Sequence, residues 1–355
     1  MRFEIFHFLI LALLVGAEPS YEDKIEKLEY YGLDPEVHQK DTEYVLVLGS
    51  GGLIGSQLVK ELKEQGYPVL EVRSRTHLDL RVRGNLDIFD PVRLRMVFFL
   101  ACEVGGSKFL DESEQIIEKH NGLIYKEVFP FLESKSKDTK FIFASSSLAG
   151  DDSAYGRIKL EGEEKTASME SGKSVRFWNV YGTETVGLKS HVLTDWVYSC
   201  LHQEPQKGVT RVQSLSNGLE KRQFMHVSDA AKGLVMMMEE WDSALDGIKV
   251  VDFASGLWVT LRDVAESIQR VSKSRCEIVF NESRTPRERK IMEPNLSKEF
   301  HKMVFPPEDI KEMDKGIAQM YKELAEVIEN KTFHYGRLVA LILAVLATFV
   351  ARFFV

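Results

Sequence analysis

The sequence predicts an α/β protein built on a doubly wound parallel sheet, and two observations predict it. The chain has 355 residues, of which 44% are hydrophobic and 28% charged. That is enough to bury a large core, as two lobes or as one large α/β unit. The second observation is a strand–turn–helix–strand unit beginning at residue 44. Tyr44-Val-Leu-Val-Leu48 is an apolar strand that runs into the turn Gly49-Ser-Gly-Gly52-Leu-Ile-Gly55. A helix is predicted over 56–65, with Leu58, Val59 and Leu62 on one face and Gly66 as its stop. A second strand follows over 68–72.

Glycines at that turn let a backbone approach a pyrophosphate, and the amides and dipole of the following helix favour an anion. The unit therefore points to a dinucleotide site, held by Gly49, Gly52, Leu53, Ile54 and Gly55 on a Rossmann-type sheet. Two arginines, Arg73 and Arg75, close the second strand where an acid for the ribose hydroxyls would otherwise stand. Guanidinium groups there suit a 2′-phosphate, so NADP is favoured over NAD.

Composition excludes several classes. A net charge of −8 argues against broad nucleic-acid binding, which needs a basic face. There is no repeat period, no HExxH or paired metal-ligand spacing, and no GxSxG. No metal is expected. Cys102, Cys200 and Cys276 show no CxxC spacing and leave one odd, so free thiols are expected rather than a disulfide scaffold.

Both ends are predicted to stand apart from the fold. An apolar run over 5–16 ends in Val15-Gly16-Ala17, which suits a signal peptide or an N-terminal anchor over 1–17, followed by an extension over 18–43. A second apolar run, Leu338 to Ala351, predicts a transmembrane anchor over 338–355. Sequons begin at Asn281, Asn295 and Asn330. With the signal-like start they suggest an endoplasmic-reticulum or Golgi membrane protein with a lumenal body. The alternative is a cytosolic body with a C-terminal tail anchor, and Arg337 and Arg352 flank the segment without choosing between them.

Further along, Phe141-Ile-Phe-Ala-Ser145-Ser146-Ser147 reads as a strand ending in serines, and Tyr155-Gly-Arg-Ile-Lys159 follows it. Positions four apart share a helix face, so the ammonium lies near the phenol and, with the cofactor, is expected to lower its pKa. In this order, behind a GxxGxxG turn, these motifs resemble the extended branch of the short-chain dehydrogenase/reductase superfamily, the NAD(P)-dependent nucleotide-sugar epimerases, dehydratases and reductases. The resemblance covers about 44–328. It implies a dinucleotide-binding domain mainly over 44–176 and a smaller C-terminal α/β substrate lobe mainly over 177–330 with returning sheet elements. It also implies a possible homodimer.

Residue by residue, the resemblance makes Tyr155 the acid/base, Lys159 its tuning cation, and Ser145 or Ser146 the serine that holds the reacting hydroxyl. Asp79 matches the acid near the adenine, Leu100 and Ala101 the turn after the family's fourth strand, and Asn121 an asparagine supporting the active-site water. For the nucleotide-diphosphate sugar it implies Asn179 in Arg176-Phe-Trp-Asn179-Val-Tyr-Gly182, Arg222 in Arg222-Gln-Phe-Met-His226-Val-Ser-Asp229, and Arg287. Ser190-His191-Val192-Leu193 is similar to a segment of GDP-fucose synthase-like epimerase/reductases, where the histidine is an acid. Ser147 stands where that subgroup has a cysteine base.

One departure is plain. Ser146 and Tyr155 are nine positions apart, against some 20 or more in the family, so a substrate-facing loop is cut down. Two other readings follow: a catalytically quiet NADP-binding protein at a membrane, or a reductase of a non-sugar carbonyl.

Overall fold

The computed structural model describes residues 26–33, 41–243, 245–284, 294, 305 and 311–329. The first half of the chain runs β1 (Glu43–Leu48), α1 (Leu53–Glu64), β2 (Val69–Val72), β3 (Arg93–Phe99), α2 (Ser107–Glu112) and α3 (Glu114–Lys135). It continues with β4 (Lys140–Ser146), α4 (Ala154–Ala167), β5 (Gly172–Phe177) and β6 (Asn179–Tyr181). Then come α5 (Val192–His202), β7 (Thr210–Gln213), β8 (Lys221–Arg222), β9 (Phe224–His226) and α6 (Val227–Glu239). The remainder is β10 (Val250–Phe253), β11 (Val259–Thr260), α7 (Leu261–Val271), β12 (Cys276–Val279) and a helix α8 over 313–329.

These elements form two compact units: β1 to β5 with their helices, α6 and β10 in one, and β6 to β9, α5, β11, α7, β12 and α8 in the other. In the first, six strands make one parallel sheet in the order β10-β5-β4-β3-β1-β2. The chain leaves β1 for β2 on one side and returns to β3 on the other. The ends of β1 and β3 thus form a switch point, where α/β sheets open a crevice. Helices on both faces explain why β1, β3 and β4 read as continuous apolar runs rather than alternating ones. On one face Phe99, Phe143, Tyr125 and Phe129 meet edge-on or tilted, with Phe99–Phe143 centroids 5.4 Å apart and Tyr125–Phe129 5.1 Å. Gly162 of α4 lies against the Phe143 ring, where a Cβ would come within 2.2 Å. That glycine brings α4, and the side chains it carries, close onto β4.

Boundaries shift slightly from expectation. The first helix begins at Leu53, not 56, because the glycine turn closes directly into it. The strand that the resemblance numbers fourth is the third here. Between β2 and β3 the chain forms only a short 3-10 turn over Asn85–Phe89, and Leu78, Asp79 and Leu80 lie in loop. Part of the predicted N-terminal extension packs on the sheet: the Tyr31 carbonyl accepts from Glu71 N at 2.7 Å, which satisfies the edge of β2.

The second unit has three two-stranded ladders, β6 with β9, β7 with β12 and β8 with β11. Its core joins Trp196 and Val197 of α5 to Val264 and Ile268 of α7 and Ile317, Met320 and Leu324 of α8. A capping box between Thr260 and Asp263 starts α7. The cysteine expectation is corrected here: Cys200 of α5 and Cys276 of β12 are joined in a disulfide, their Cα atoms 5.5 Å apart, and Cys102 is free. Sequence spacing could not show this, because 76 positions separate two residues that the packing of α5 on β12 brings together. Among the described residues no helix is long and apolar enough to cross a membrane. The segments 1–17 and 338–355, Asn295 and Asn330 lie outside the described residues.

His226, at the end of β9, is 2% exposed and stacks edge-on against Tyr181 at 5.2 Å. Burial, with Lys311 adding to it and Glu323 opposing, pushes its pKa down to about 4. A depressed histidine contributes stability that is complete above its unfolded pKa and is lost as pH falls toward the folded value. The thermal midpoint should therefore drop between about pH 6.5 and 4, with a limiting loss of about 3 kcal/mol. In His226→Phe that part of the pH dependence should disappear in thermal melts; an unchanged slope would refute the assignment.

Candidate active site

The glycine turn is dictated by backbone contacts. Gly49 has φ +96°, and a Cβ there would lie 2.7 Å from Ala101 N. A Cβ on Gly55 would meet Gly49 O at 2.1 Å, and one on Gly51 would meet Arg73 O at 2.5 Å. Only glycine fits such approaches. Gly51 is thus as constrained as Gly49 and Gly55, although a GxxGxxG reading passes over it. Gly52 is looser, with its nearest neighbour Gly49 O at 3.4 Å from a Cβ. It is the N-cap of α1, which has no side-chain cap and no acid in its first turn, so the first amides, at Leu53 and Ile54, are left for an anion. Ser50 Oγ in the same turn is buried and has no hydrogen-bond partner among the described residues.

Around that turn, charged groups from β2 and β3 converge. Glu71 accepts from Lys63 Nζ at 2.7 Å and from Arg73 Nε at 3.0 Å. Burial works to raise the Glu71 pKa, but the two cations outweigh it and hold the carboxyl below its usual range. The pairing spends Arg73 Nε. Arg75 is bound to Glu103, a 4% exposed carboxylate that His120 also contacts at 3.0 Å. Asp79 forms a fork with Arg81, at 2.8 and 2.6 Å, which lowers its pKa to about 2.

Asn121 lies in α3, within the helix expected for it. It is fully buried, and its amide accepts from Glu103 N at 2.8 Å and donates to Glu103 O at 3.0 Å. It holds the backbone of the loop after β3, which carries Leu100 and Ala101.

The serine register becomes clear from strand alternation. Ser145 Oγ donates to Glu163, which is itself in a bidentate pair with Arg176 at 2.7 and 2.6 Å. Ser146, on the opposite side, lies near enough to the Tyr155 phenol to act on its pKa, and accepts from Leu148 N at 3.2 Å. Ser145 is therefore corrected to a structural partner of Glu163, and Ser146 is the serine at the tyrosine. Lys159 is 3% exposed; its Nζ donates to Ala144 O at 2.6 Å and lies 5.5 Å from the Tyr155 ring centroid. Within the protein alone the phenol pKa moves upward. Burial, with the nearby Cys102 thiol, pushes Tyr155 up, and Ser146 only partly opposes it. The phenol rests protonated, ready to donate.

The shortened loop still delivers Tyr155. Ala149 N bonds Ser146 O at 2.9 Å, and Gly150, at φ +86°, donates to Gly156 O at 3.0 Å. Ser153 caps α4 by accepting from Gly156 N at 3.0 Å. A Cβ on Gly156 would meet Asp151 Oδ1 at 2.0 Å and Leu148 O at 2.6 Å, so the loop folds back over a glycine beside the tyrosine.

The second unit holds a separate acid–base pair. His191, N-cap of α5, is half-exposed, and both Glu184 carboxylate oxygens lie 3.0 Å from its Nδ1. Burial works to depress His191, but the hydrogen bond and charge of Glu184, helped by Asp195, raise its pKa. Glu184 was not anticipated from the sequence, since no motif marks a partner seven positions upstream. Asn179 begins β6, its N donating to Gln223 O at 3.3 Å, and Arg222 in β8 donates to Lys221 O at 2.7 Å. Arg287 lies outside the described residues.

A parallel sheet with a glycine turn at its switch point and a Ser–Tyr–Lys group beside it defines a dinucleotide-dependent enzyme class. Residues 45–251 match the NAD dependent epimerase/dehydratase family, and the chain belongs to that family. It is 24% identical over 261 residues to GDP-L-fucose synthase 1 of Arabidopsis thaliana, covering 64% of this chain and 77% of the relative. An epimerase from Methanothermobacter thermautotrophicus shares the fold, with a TM-score of 0.64, 20% identity and coverage of 86% of this chain and 96% of its own. So does a GDP-D-glycero-L-gluco-heptose synthase from Campylobacter jejuni, solved in the presence of NADPH, with a TM-score of 0.64, 17% identity and coverage of 80% and 98%.

The two serines give a direct test. Ser146→Ala should lower kcat by about 100-fold with little change in thermal midpoint. Ser145→Ala, which strips a donor from a buried carboxylate, should cost about 1–3 kcal/mol of stability and leave kcat nearly intact. Steady-state kinetics and thermal melts on both variants check this, and the reverse pattern would overturn the register.

Proposed function

We propose that the protein is an NADP(H)-dependent enzyme that epimerises, dehydrates or reduces a nucleotide-diphosphate sugar, with Tyr155 as its acid/base. The observation that carries this is the Ser146–Tyr155–Lys159 group, seated at the end of β4 in the same unit as the glycine turn. The turn fits a dinucleotide: its uncapped helix N-terminus suits the pyrophosphate. At the end of β2, Arg73 spends only Nε on Glu71, so its terminal nitrogens suit a ribose 2′-phosphate. When bound, the nicotinamide accepts or supplies the hydride.

The chain's own residues do the rest. Tyr155 donates its phenolic proton to, or takes one from, a sugar oxygen, and Ser146 orients both groups through its hydroxyl. Lys159, its Nζ fixed by Ala144 O and lying beside the ring, would favour phenolate. In the second unit, His191 held by Glu184 is the candidate acid, and Asn179 and Arg222 are the candidate diphosphate contacts. Ser147 is too weak an acid to act as a base at carbon. That favours a reaction that exchanges hydride at a carbinol over a double epimerisation. The relatives named as GDP-L-fucose synthases and sugar epimerases support the substrate class.

Turnover on a panel of UDP- and GDP-sugars with NADP(H) tests the reading. Tyr155→Phe should lower kcat at least about 100-fold, and unchanged turnover would refute it. Arg73→Ala should weaken NADP(H) binding about 10-fold while leaving NAD(H) binding within about twofold, as measured by titration. Equal losses for both cofactors would remove the 2′-phosphate assignment.

A further inference from the structure

The disulfide and one sequon lie close together in the second unit and have no part in the chemistry above. Cys200 sits near the end of α5 and Cys276 opens β12, 1% exposed within the apolar core that includes Trp196, Val212 and Ile278. Disulfides of this structural kind persist in oxidising compartments and are rare where glutathione keeps thiols reduced. Beyond β12 the chain turns through Asn281-Glu-Ser283, and residues 281–284 are all exposed.

The backbone of that turn is anchored while the acceptor amide faces outward. Asn281 N donates to Ser216 O at 3.0 Å, and Arg284 N donates to Asn281 O at 3.1 Å. Asn281 Oδ1 accepts from Ser283 N at 3.2 Å and from Ser283 Oγ at 2.7 Å. Its Nδ2 has no protein partner among the described residues, so substitution there displaces no packing. The neighbouring Glu282 is engaged by Arg262 at 2.7 and 2.8 Å.

We propose that Asn281 is an N-glycosylation site and that this unit matures in the secretory lumen with Cys200 and Cys276 oxidised. The two modifications are chemically independent and require the same compartment. In the first, Asn281 Nδ2 forms a bond to the anomeric carbon of a lipid-linked oligosaccharide diphosphate. The carbon–oxygen bond to the diphosphate breaks, the lipid diphosphate leaves, and the amide loses one proton. In the second, two thiols give up two protons and two electrons to an oxidant of the disulfide class, which is reduced to a dithiol.

The test uses the full chain expressed in eukaryotic cells without added signals. Peptide mapping after enzymatic deglycosylation should find Asn281 converted to Asp, and a non-reducing map should recover the Cys200–Cys276 linked peptide. Ser283→Ala should abolish the Asn281 glycan with no shift in thermal midpoint, and Ser283→Thr should retain it. An unmodified Asn281 overturns the glycan site. Alkylation of both Cys200 and Cys276 by a permeant maleimide in intact cells overturns the lumenal assignment. Neither result touches the reading of Tyr155, which is measured by turnover.

Discussion

The backbone of Gly55 lies against the carbonyl of Gly49 at a distance that leaves no room for a side chain, and much of the first unit follows from that contact. It fixes the start of α1 over the end of β1. The same turn presses Gly49 on Ala101 and Gly51 on Arg73, so the C-terminal ends of β1, β2 and β3 are locked together by main chain alone. An uncapped helix N-terminus then emerges at the switch point of the sheet, where its dipole is useful to an anion. Glu71, Arg73, Arg75 and Glu103 are arranged around this frame. Asn121 reinforces it from α3 by holding the backbone of Glu103.

The chemistry beside the frame depends on how little chain is needed between β4 and α4. A long loop is absent, yet Ser146 still reaches Tyr155, because Gly150 takes a left-handed conformation and Gly156 admits the loop at close range. Ser153 closes the arrangement with a helix cap, an interaction worth about 1 kcal/mol. Gly162, one turn beyond Lys159, lets α4 settle on Phe143. The tyrosine is consequently buried and its phenol is held neutral. A deep, protonated acid beside a lysine fixed to Ala144 O is suited to donate as charge develops on a substrate oxygen.

The second unit solves a different problem. Two-stranded ladders are marginal by themselves, and here α5, α7 and α8 supply the apolar mass around them. The disulfide ties α5 to β12 across 76 positions, a crosslink of the kind that contributes about 2–4 kcal/mol. The His191–Glu184 pair sits at the start of that same α5, so its orientation is inherited from an element that is both packed and crosslinked.

The order of local motifs was legible in the sequence because each is short-range: an apolar strand, a glycine turn, serines at a strand end, tyrosine and lysine one helical turn apart. Those features indicated the fold class and named most of the candidate residues. What they left open depended on contacts between distant positions. Choosing Ser146 over Ser145 required knowing that Glu163 and Arg176 occupy one side of β4. Placing Asn121 on Glu103, pairing His191 with Glu184 and finding the Tyr155 phenol shifted upward all required burial and direction, which spacing does not encode. The disulfide is the plainest case. Three cysteines without a motif carry no pairing information, and only the packing of α5 against β12 decides that Cys200 meets Cys276.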